Sequence, residues 1–268
     1  MKRLALIFTL AVIVVAFPIP VFAQDYVAVP IFATTDLNVV PITDTLKEGT
    51  FEWDVTGRYN DDFNRGHHVS TRLYGALFDN FEFGMNWGIS RPATAMNLSL
   101  KYKIIDEYKG NFPVSFAVGA TDINGIVAPE DMEPWLYGVI GLHDVHLIGW
   151  WDWYAGYAFK KSGRVGLVDP QQRDNEDRDS VFGGFKFWVS DRLQVNADVA
   201  TYTFTDEDSK KEENGYILSG GLNYDVANHV GVQGWVEHFS NPEDNVFVLQ
   251  FVAQADMKDL TATVSDPE

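Results

Sequence analysis

The chain has 268 residues, no cysteine, a formal net charge of -18 and aromatic side chains at 14% of its positions. The acidic balance excludes nucleic-acid binding through a basic surface. The lack of cysteine excludes disulfide scaffolds, thiolate metal sites and cysteine nucleophiles. So many aromatic side chains require either one large core or a protein whose outer surface is apolar.

The first predicted element is a secretory signal peptide over residues 1–23. A basic start is followed by the apolar run Leu4–Phe17, and Ala23 supplies the small residue before a cleavage site. A transmembrane helix is the alternative, but the run is shorter than about 20 residues and prolines interrupt its far end. We expect the mature chain to begin at Gln24. Removal of Lys2 and Arg3 then changes its net charge from -18 to -20.

Residues 24–48 show no clear period and contain Pro30 and Pro41. Two interpretations remain open at this point. The segment is either an extended periplasmic lead or a plug that enters the lumen of the protein predicted below.

From residue 49 to residue 256, apolar residues recur at every second position in segments of about ten, which is typical of strands with two different faces. Phe51, Trp53 and Val55, for example, alternate with Glu52 and Asp54. Twelve such segments are present, followed by a polar C-terminal tail over residues 257–268.

The connections between these segments alternate in length, as in outer-membrane barrels with short periplasmic turns and longer outer loops. We therefore predict an all-β fold, an antiparallel transmembrane β-barrel of twelve strands in a Gram-negative cell envelope, with a soluble sandwich as the alternative. The short connections are 78–80, 106–111, 142–146, 190–192 and 225–229, and the longer ones are 60–66, 90–95, 121–133, 160–180, 205–214 and 240–245.

Two stretches of the sequence carry a resemblance to a known group of barrels. The strand-turn-strand pattern over residues 97–122 and the entry Pro41–Gly49 into the first strand resemble YjbH-type small bacterial outer-membrane barrels. The resemblance covers about residues 41 to 125. It implies the barrel fold and an outer-membrane location, and it does not assign an activity.

The polar positions of the alternating segments predict which side chains line the lumen. They carry six acids and six bases, whereas a channel selective for one sign of charge would show that sign along its wall. We expect a narrow lumen partly closed by ion pairs, so a narrow channel or a structural envelope component is the first interpretation, and a solute-selective, porin-like channel is the alternative. The predicted lumen-lining residues are Glu52, Asp54, Arg58, Arg72, Glu82, Lys101, Lys103, Asp152, Lys160, Lys186, Asp198 and Glu237.

The excess of acid lies in the longer connections, around residues 130–133, 174–179 and 206–213. Such loops could hold divalent cations against lipopolysaccharide phosphates, but they lack the spacing of a calcium loop, and a solvated acidic surface is the simpler interpretation. The expected partners are outer-membrane lipid, lipopolysaccharide and the outer-membrane assembly machinery, with a small solute as a further candidate and no nucleic acid.

One short motif suggests catalysis as a third interpretation. His238 and Ser240 lie two residues apart on the eleventh strand, so both face the lipid, and imidazole could take the hydroxyl proton for attack on an ester. This resembles the His-x-Ser arrangement of lipid A deacylases and outer-membrane phospholipase A, and it implies a lipid-acyl hydrolase. Those families need a third polar group on the neighbouring strand. The outward residues expected there, Phe247, Leu249, Phe251 and Ala253, supply none. Glu243 and Asp244 lie in the connection before them and could substitute only by an unusual geometry.

No motif indicates a cofactor or a metal. His67 and His68 point to opposite faces of a strand, and His143 and His146 have no third ligand nearby in the sequence. The sequence therefore predicts no cofactor, and a non-enzymatic barrel remains the first interpretation.

Overall fold

The computed structural model describes residues 38, 40–60, 68–88, 96–109, 112–124, 135–146, 150–160, 178–205, 212–227, 229–240 and 243–256. Within them each strand pairs in antiparallel fashion with the next, and β1 pairs with β12 to close a barrel. The twelve strands are β1 (Thr50–Asn60), β2 (His68–Phe78), β3 (Phe81–Gly88), β4 (Met96–Ile105), β5 (Ser115–Asn124), β6 (Trp135–His146), β7 (Trp150–Lys160), β8 (Arg178–Trp188), β9 (Leu193–Thr205), β10 (Glu212–Ala227), β11 (Val230–Ser240) and β12 (Glu243–Asp256).

This arrangement confirms the predicted fold class, strand number and antiparallel order. In this part of the chain no helix is long and apolar enough to cross a membrane. The signal peptide predicted over residues 1–23 and the tail over residues 257–268 lie outside the described residues.

The period-2 pattern gives each strand an outward apolar side and an inward side that carries most of the polar residues together with some buried apolar ones, such as Val139 on β6. On β12, Val248 and Gln250 are buried, while Phe247, Leu249 and Phe251 are about half exposed. A closed barrel leaves no unpaired strand edge, so a membrane can surround it without facing unsatisfied backbone groups. The outward apolar side chains are then the surface that contacts lipid.

The two ends of the barrel differ in the length of their connections. The short-turn rim carries the links after β2, β4, β6, β8 and β10, together with the start of β1 and the end of β12. Between β2 and β3 only two residues intervene, and Asn80 there adopts a φ of 68°, a conformation that asparagine tolerates better than most residues. The opposite end is the long-loop rim.

Two predicted connections proved wrong because they belong to strands. Residues 142–146 form the end of β6, where the register shifts between Leu142 and Val145 and Asp144 has a φ of 55°. The polar residues at this irregularity resemble those of a turn, and for that reason the sequence predicts a connection here. The link predicted over 240–245 is also shorter, since β11 ends at Ser240 and β12 begins at Glu243.

Aromatic side chains that face inward lie over glycines of adjacent strands. A Cβ atom on Gly156 would lie 2.3 Å from the ring of Phe182, and one on Gly221 would lie 2.4 Å from Trp235 Cβ. Glycine is required at both positions because a neighbouring side chain already occupies the space. These rings take up part of the lumen volume.

Residues from the segment before β1 also pack against the inward side of the wall. Val40 and Ile42 are fully buried and belong to the same apolar cluster as Tyr137, Phe182 and Ile217. Leu46 packs with Tyr74 and Ala76 in a second cluster. Burial inside a closed barrel means that this segment lies within the lumen.

Candidate functional site: the lumen and the outer wall

Among the described residues, three ion pairs join inward side chains of the wall. Asp54 and Arg72 face each other across the β1–β2 ladder at 3.0 Å, and Glu82 pairs with Lys101 across β3–β4 at 3.3 Å. Both members of the second pair are 1% exposed. A buried charge costs several kcal/mol unless it is paired, so these partners neutralise each other within the wall.

The third ion pair joins strands that are not neighbours. Arg58 of β1 reaches Glu237 of β11 at 2.6 Å, and the indole nitrogen of Trp235 donates to the same carboxylate at 2.8 Å. The pair therefore passes along the inside of β12, which lies between the two strands.

Apart from Lys160, the remaining predicted lumen residues also lie at inward positions. Glu52 accepts a hydrogen bond from Gln254 at 2.7 Å, and Lys103 is 9% exposed. Lys160 ends β7, and its side chain lies outside the described residues. Each of the others has a polar partner: Asp152 accepts from the backbone N–H of Asp144, Asp198 accepts from Ser219 and from the backbone N–H of Asn38, and Lys186 donates to Asp44.

The sequence did not single out Asp44, which lies in the segment before β1 and joins three strands. Its carboxylate accepts from Tyr154 at 3.0 Å and from Lys186 at 3.1 Å, and it lies 2.9 Å from Nε2 of His143. Nδ1 of His143 lies 2.7 Å from Glu107. We call these five residues the Asp44 cluster.

Charge determines the ionisation of Asp44. Burial alone favours the neutral acid, but the Lys186 ammonium and the hydrogen bond with His143 outweigh it and hold the pKa of Asp44 well below its usual value of 3.8. The carboxylate is therefore ionised at neutral pH and ties the segment to the wall near the short-turn rim.

Deeper in the lumen, Asn38 makes two further bonds to the wall. Its backbone N–H donates to Asp198 at 2.7 Å, and its side-chain amide donates to Ser219 at 2.8 Å. At the other end of the segment, the N–H of Leu46 donates to Glu82 at 2.9 Å. Through Asn38, Asp44 and Leu46 the segment is therefore bonded to β3, β6, β7, β8, β9 and β10.

A different polar group lies on the outside of the barrel, at the long-loop rim. Nδ1 of His238 is 3.0 Å from Oδ1 of Asn245, its direct partner across the β11–β12 ladder. Ser240 accepts a hydrogen bond from the backbone N–H of Tyr216 at 2.8 Å. We call His238, Ser240 and Asn245 the outer-wall cluster.

Asn245 corrects the expectation that β12 offers no polar group to this histidine. The sequence predicts a connection over residues 240–245, whereas β12 begins at Glu243 and includes Asn245. The sequence does hold the signal, because Asn245 lies two residues before Phe247 and therefore shares its outward face. The side chains of Glu243 and Asp244 lie outside the described part.

Among the residues with described side chains, no group of three or more histidine, aspartate and glutamate residues could hold a metal ion. The side chains of His67, His68 and His146 are not described. The same holds for most of the acidic connections around 130–133, 174–179 and 206–213.

A closed barrel of twelve antiparallel strands, apolar outside and lined with ion pairs inside, is an outer-membrane β-barrel. Solved structures with the same fold include the NanC porin, with a TM-score of 0.53, 12% sequence identity and coverage of 75% of this chain and 98% of that one. The KdgM porin follows at a TM-score of 0.51 and 10% identity, with the same coverages.

An outer-membrane channel from Pseudomonas putida F1 has a TM-score of 0.51 and 10% identity, and the match covers 87% of this chain and all of that one. At sequence identities this low, the similarity to these three structures shows a shared fold alone. No protein-family model matches the chain, and no curated protein matches its sequence.

Proposed function

We propose that the protein is a narrow outer-membrane channel whose lumen is plugged by its own segment 38–48. The observation that carries the proposal is Asp44, which lies before the first strand and contacts side chains of β6, β7 and β8. A segment joined to several inner strands obstructs the path along the barrel axis. A purely structural envelope role is the other form of this function, in which the plug never leaves.

The apolar contacts of the plug support the same conclusion. Val40 and Ile42 are fully buried against inward rings, and burying each such side chain contributes about 1.5–3 kcal/mol. An extended lead on the periplasmic side would leave these side chains in water. We therefore favour the plug over the lead for the C-terminal part of residues 24–48.

Conductance in planar bilayers tests the proposal. We expect the refolded mature chain to conduct weakly, and a chain that lacks residues 24–46 to conduct several-fold more. Lys109→Ala is the control, because Lys109 lies in an exposed turn and its removal should leave conductance unchanged. Equal and open conductance with and without the segment would contradict the plug, and silence in both would favour the structural role.

A solute-selective channel is the second candidate, and the inner charges argue against it. Asp54, Glu82 and Glu237 are each held by a base, so they form no ring of one sign. Reversal potentials in a salt gradient separate the two functions. Strong preference for cations or anions in the chain without its plug would favour the selective channel.

The closer resemblance to YjbH-type barrels stays a proposal that rests on the strand-turn-strand pattern of residues 41 to 125. The proposed partners are likewise outer-membrane lipid, lipopolysaccharide and the assembly machinery. Their support is the lipid-facing apolar wall, which includes Leu249 and Phe251.

A further inference from the structure

We propose that the outer-wall cluster is an esterase site for long-chain acyl esters of membrane lipids, with Ser240 as nucleophile, His238 as general base and Asn245 as the residue that positions the histidine. This activity is independent of the plugged lumen, since the cluster lies on the opposite face of the wall.

The hydrogen bond between His238 and Asn245 determines which imidazole nitrogen can act as a base. Oδ1 of Asn245 is an acceptor only, so Nδ1 of His238, 3.0 Å away, carries the proton. Nε2 then holds the lone pair in the neutral ring. A base whose tautomer is set by a third group, with a serine hydroxyl on the same face of the strand, supplies the three groups that activate a serine once base and hydroxyl meet.

Strand geometry places the hydroxyl on the same face as this base. Ser240 lies two residues after His238 on β11, which separates the two Cα atoms by about 7 Å along one face. An imidazole and a hydroxymethyl group extending from these positions can meet by rotation of their side-chain torsions. Ser240 accepts from Tyr216, and a hydroxyl that accepts at oxygen keeps its own hydrogen to donate.

The surroundings of the cluster indicate the substrate. His238 lies opposite Leu218 on β10, and the next outward pair toward the membrane is Val236 with Phe247. These three apolar side chains are between 38% and 51% exposed. The cluster therefore lies at the edge of the lipid-facing band nearest the long-loop rim. At this depth of a membrane, an ester links the apolar acyl chains of a lipid to its polar headgroup.

The chemistry balances with water as the second reactant. Nε2 of His238 takes the Ser240 proton as Oγ forms a bond to the ester carbonyl carbon. Cleavage of the bond between that carbon and the alcohol oxygen then releases the alcohol, which receives the proton from His238. Water next attacks the acyl-serine ester and gives a proton to His238. The fatty acid leaves, and that proton returns to Ser240.

Fatty-acid release by the full mature chain, refolded in detergent, tests the activity. Glycerophospholipid micelles and purified lipid A are the two substrates, and release from either supports the site and identifies the source of the ester. We expect Ser240→Ala and His238→Ala to lower release at least 100-fold. Thr201→Ala is the matched control, because Thr201 is an outward hydroxyl on β9 opposite Tyr216 with no assigned role.

The positioning role of Asn245 is tested by measurements that a purely structural residue would not affect. We expect Asn245→Ala to lower kcat about tenfold with little effect on KM, and Asn245→Asp to restore most of it because a carboxylate also accepts from Nδ1. Covalent labelling by a fluorophosphonate, seen by mass spectrometry on the Ser240 peptide, should occur in the natural chain and weaken in Asn245→Ala.

Folding is checked by the shift in gel mobility between heated and unheated samples. A folded chain that releases no fatty acid from either lipid and takes no label at Ser240 would overturn the proposal. Undiminished release by folded Ser240→Ala would overturn it as well.

Discussion

Two histidines of this barrel have different hydrogen-bond partners and opposite surroundings. His143 lies inside, 4% exposed, with one nitrogen 2.9 Å from Asp44 and the other 2.7 Å from Glu107. His238 lies outside, with Nδ1 on the amide oxygen of Asn245. Carboxylates at both nitrogens favour a doubly protonated ring, which can donate from both nitrogens and so hold the segment to the wall.

An amide at one nitrogen leaves the other as a base. The hydrogen-bond partner, more than the histidine itself, therefore decides whether the ring holds a segment in place or is able to move a proton. Loss of the inner histidine should therefore change the stability and closure of the barrel, whereas loss of the outer one should change only its chemistry.

The largest effect is expected where an inner charge loses its partner. Lys101→Met leaves the 1% exposed carboxylate of Glu82 without its ammonium, and should lower the free energy of unfolding by about 3–5 kcal/mol. Urea unfolding in lipid vesicles, followed by tryptophan fluorescence, measures this. The double variant Glu82→Gln/Lys101→Met should recover part of the loss; a double variant less stable than the single one would contradict the pair.

His143→Ala should have the next largest effect. It leaves Asp44 and Glu107 without the ring between them, and a hydrogen bond to a charged group contributes about 1.5–3 kcal/mol. The same unfolding assay should show a loss of about 2–3 kcal/mol, together with higher conductance in bilayers. His229→Ala, in the β10–β11 turn, serves as the control histidine. An equal loss of unfolding free energy in that variant would contradict the role of His143 in holding the plug.

Asp44→Asn should loosen the plug with a smaller effect on the wall. Because the pKa of Asp44 is lowered, its contribution is fully present above the ordinary value of 3.8 and is lost as the pH falls through the lower, folded-state pKa. Conductance of the natural chain should stay low from pH 7 to 3.8 and rise only below it. Asp44→Asn should conduct more at every pH, and a variant that closes as tightly as the natural chain at pH 7 would contradict the role of this carboxylate.

The smallest effect on stability is expected on the outer wall. His238→Ala removes a hydrogen bond at a partly exposed position, so the free energy of unfolding should change by less than about 1 kcal/mol. Unfolding midpoints of this variant and of His143→Ala, measured side by side, complete the comparison. A loss at His238 as large as that at His143 would mean that the outer-wall cluster is structural.

The strand pattern was readable because it repeats. Phe247, Leu249 and Phe251 recur at period 2, which predicts their outward face without knowledge of any neighbour. The same rule applied two positions earlier would have placed Asn245 on the outward face of β12, although not opposite His238, which requires the strand register. The polar residues near Pro242 are typical of a turn. This local preference led to a predicted connection where the start of β12 lies.

Asp44 could not be found in this way. Its partners His143, Tyr154 and Lys186 lie about 100 to 140 residues away in the chain. No local pattern encodes such distances, and the bulge near Asp144 also made the site of His143 look like a connection. Only closure of the wall brings these side chains to one place.

The sequence by itself therefore determined the class, the number of strands and the face of most side chains, because alternation is a local property set by the strand backbone. The tertiary structure decided which charges pair, that residues 38 and 40–46 lie in the lumen, and that Asn245 lies beside His238. Those facts depend on the register between strands and on the closure of β1 against β12, and both follow from the whole barrel rather than from any single segment.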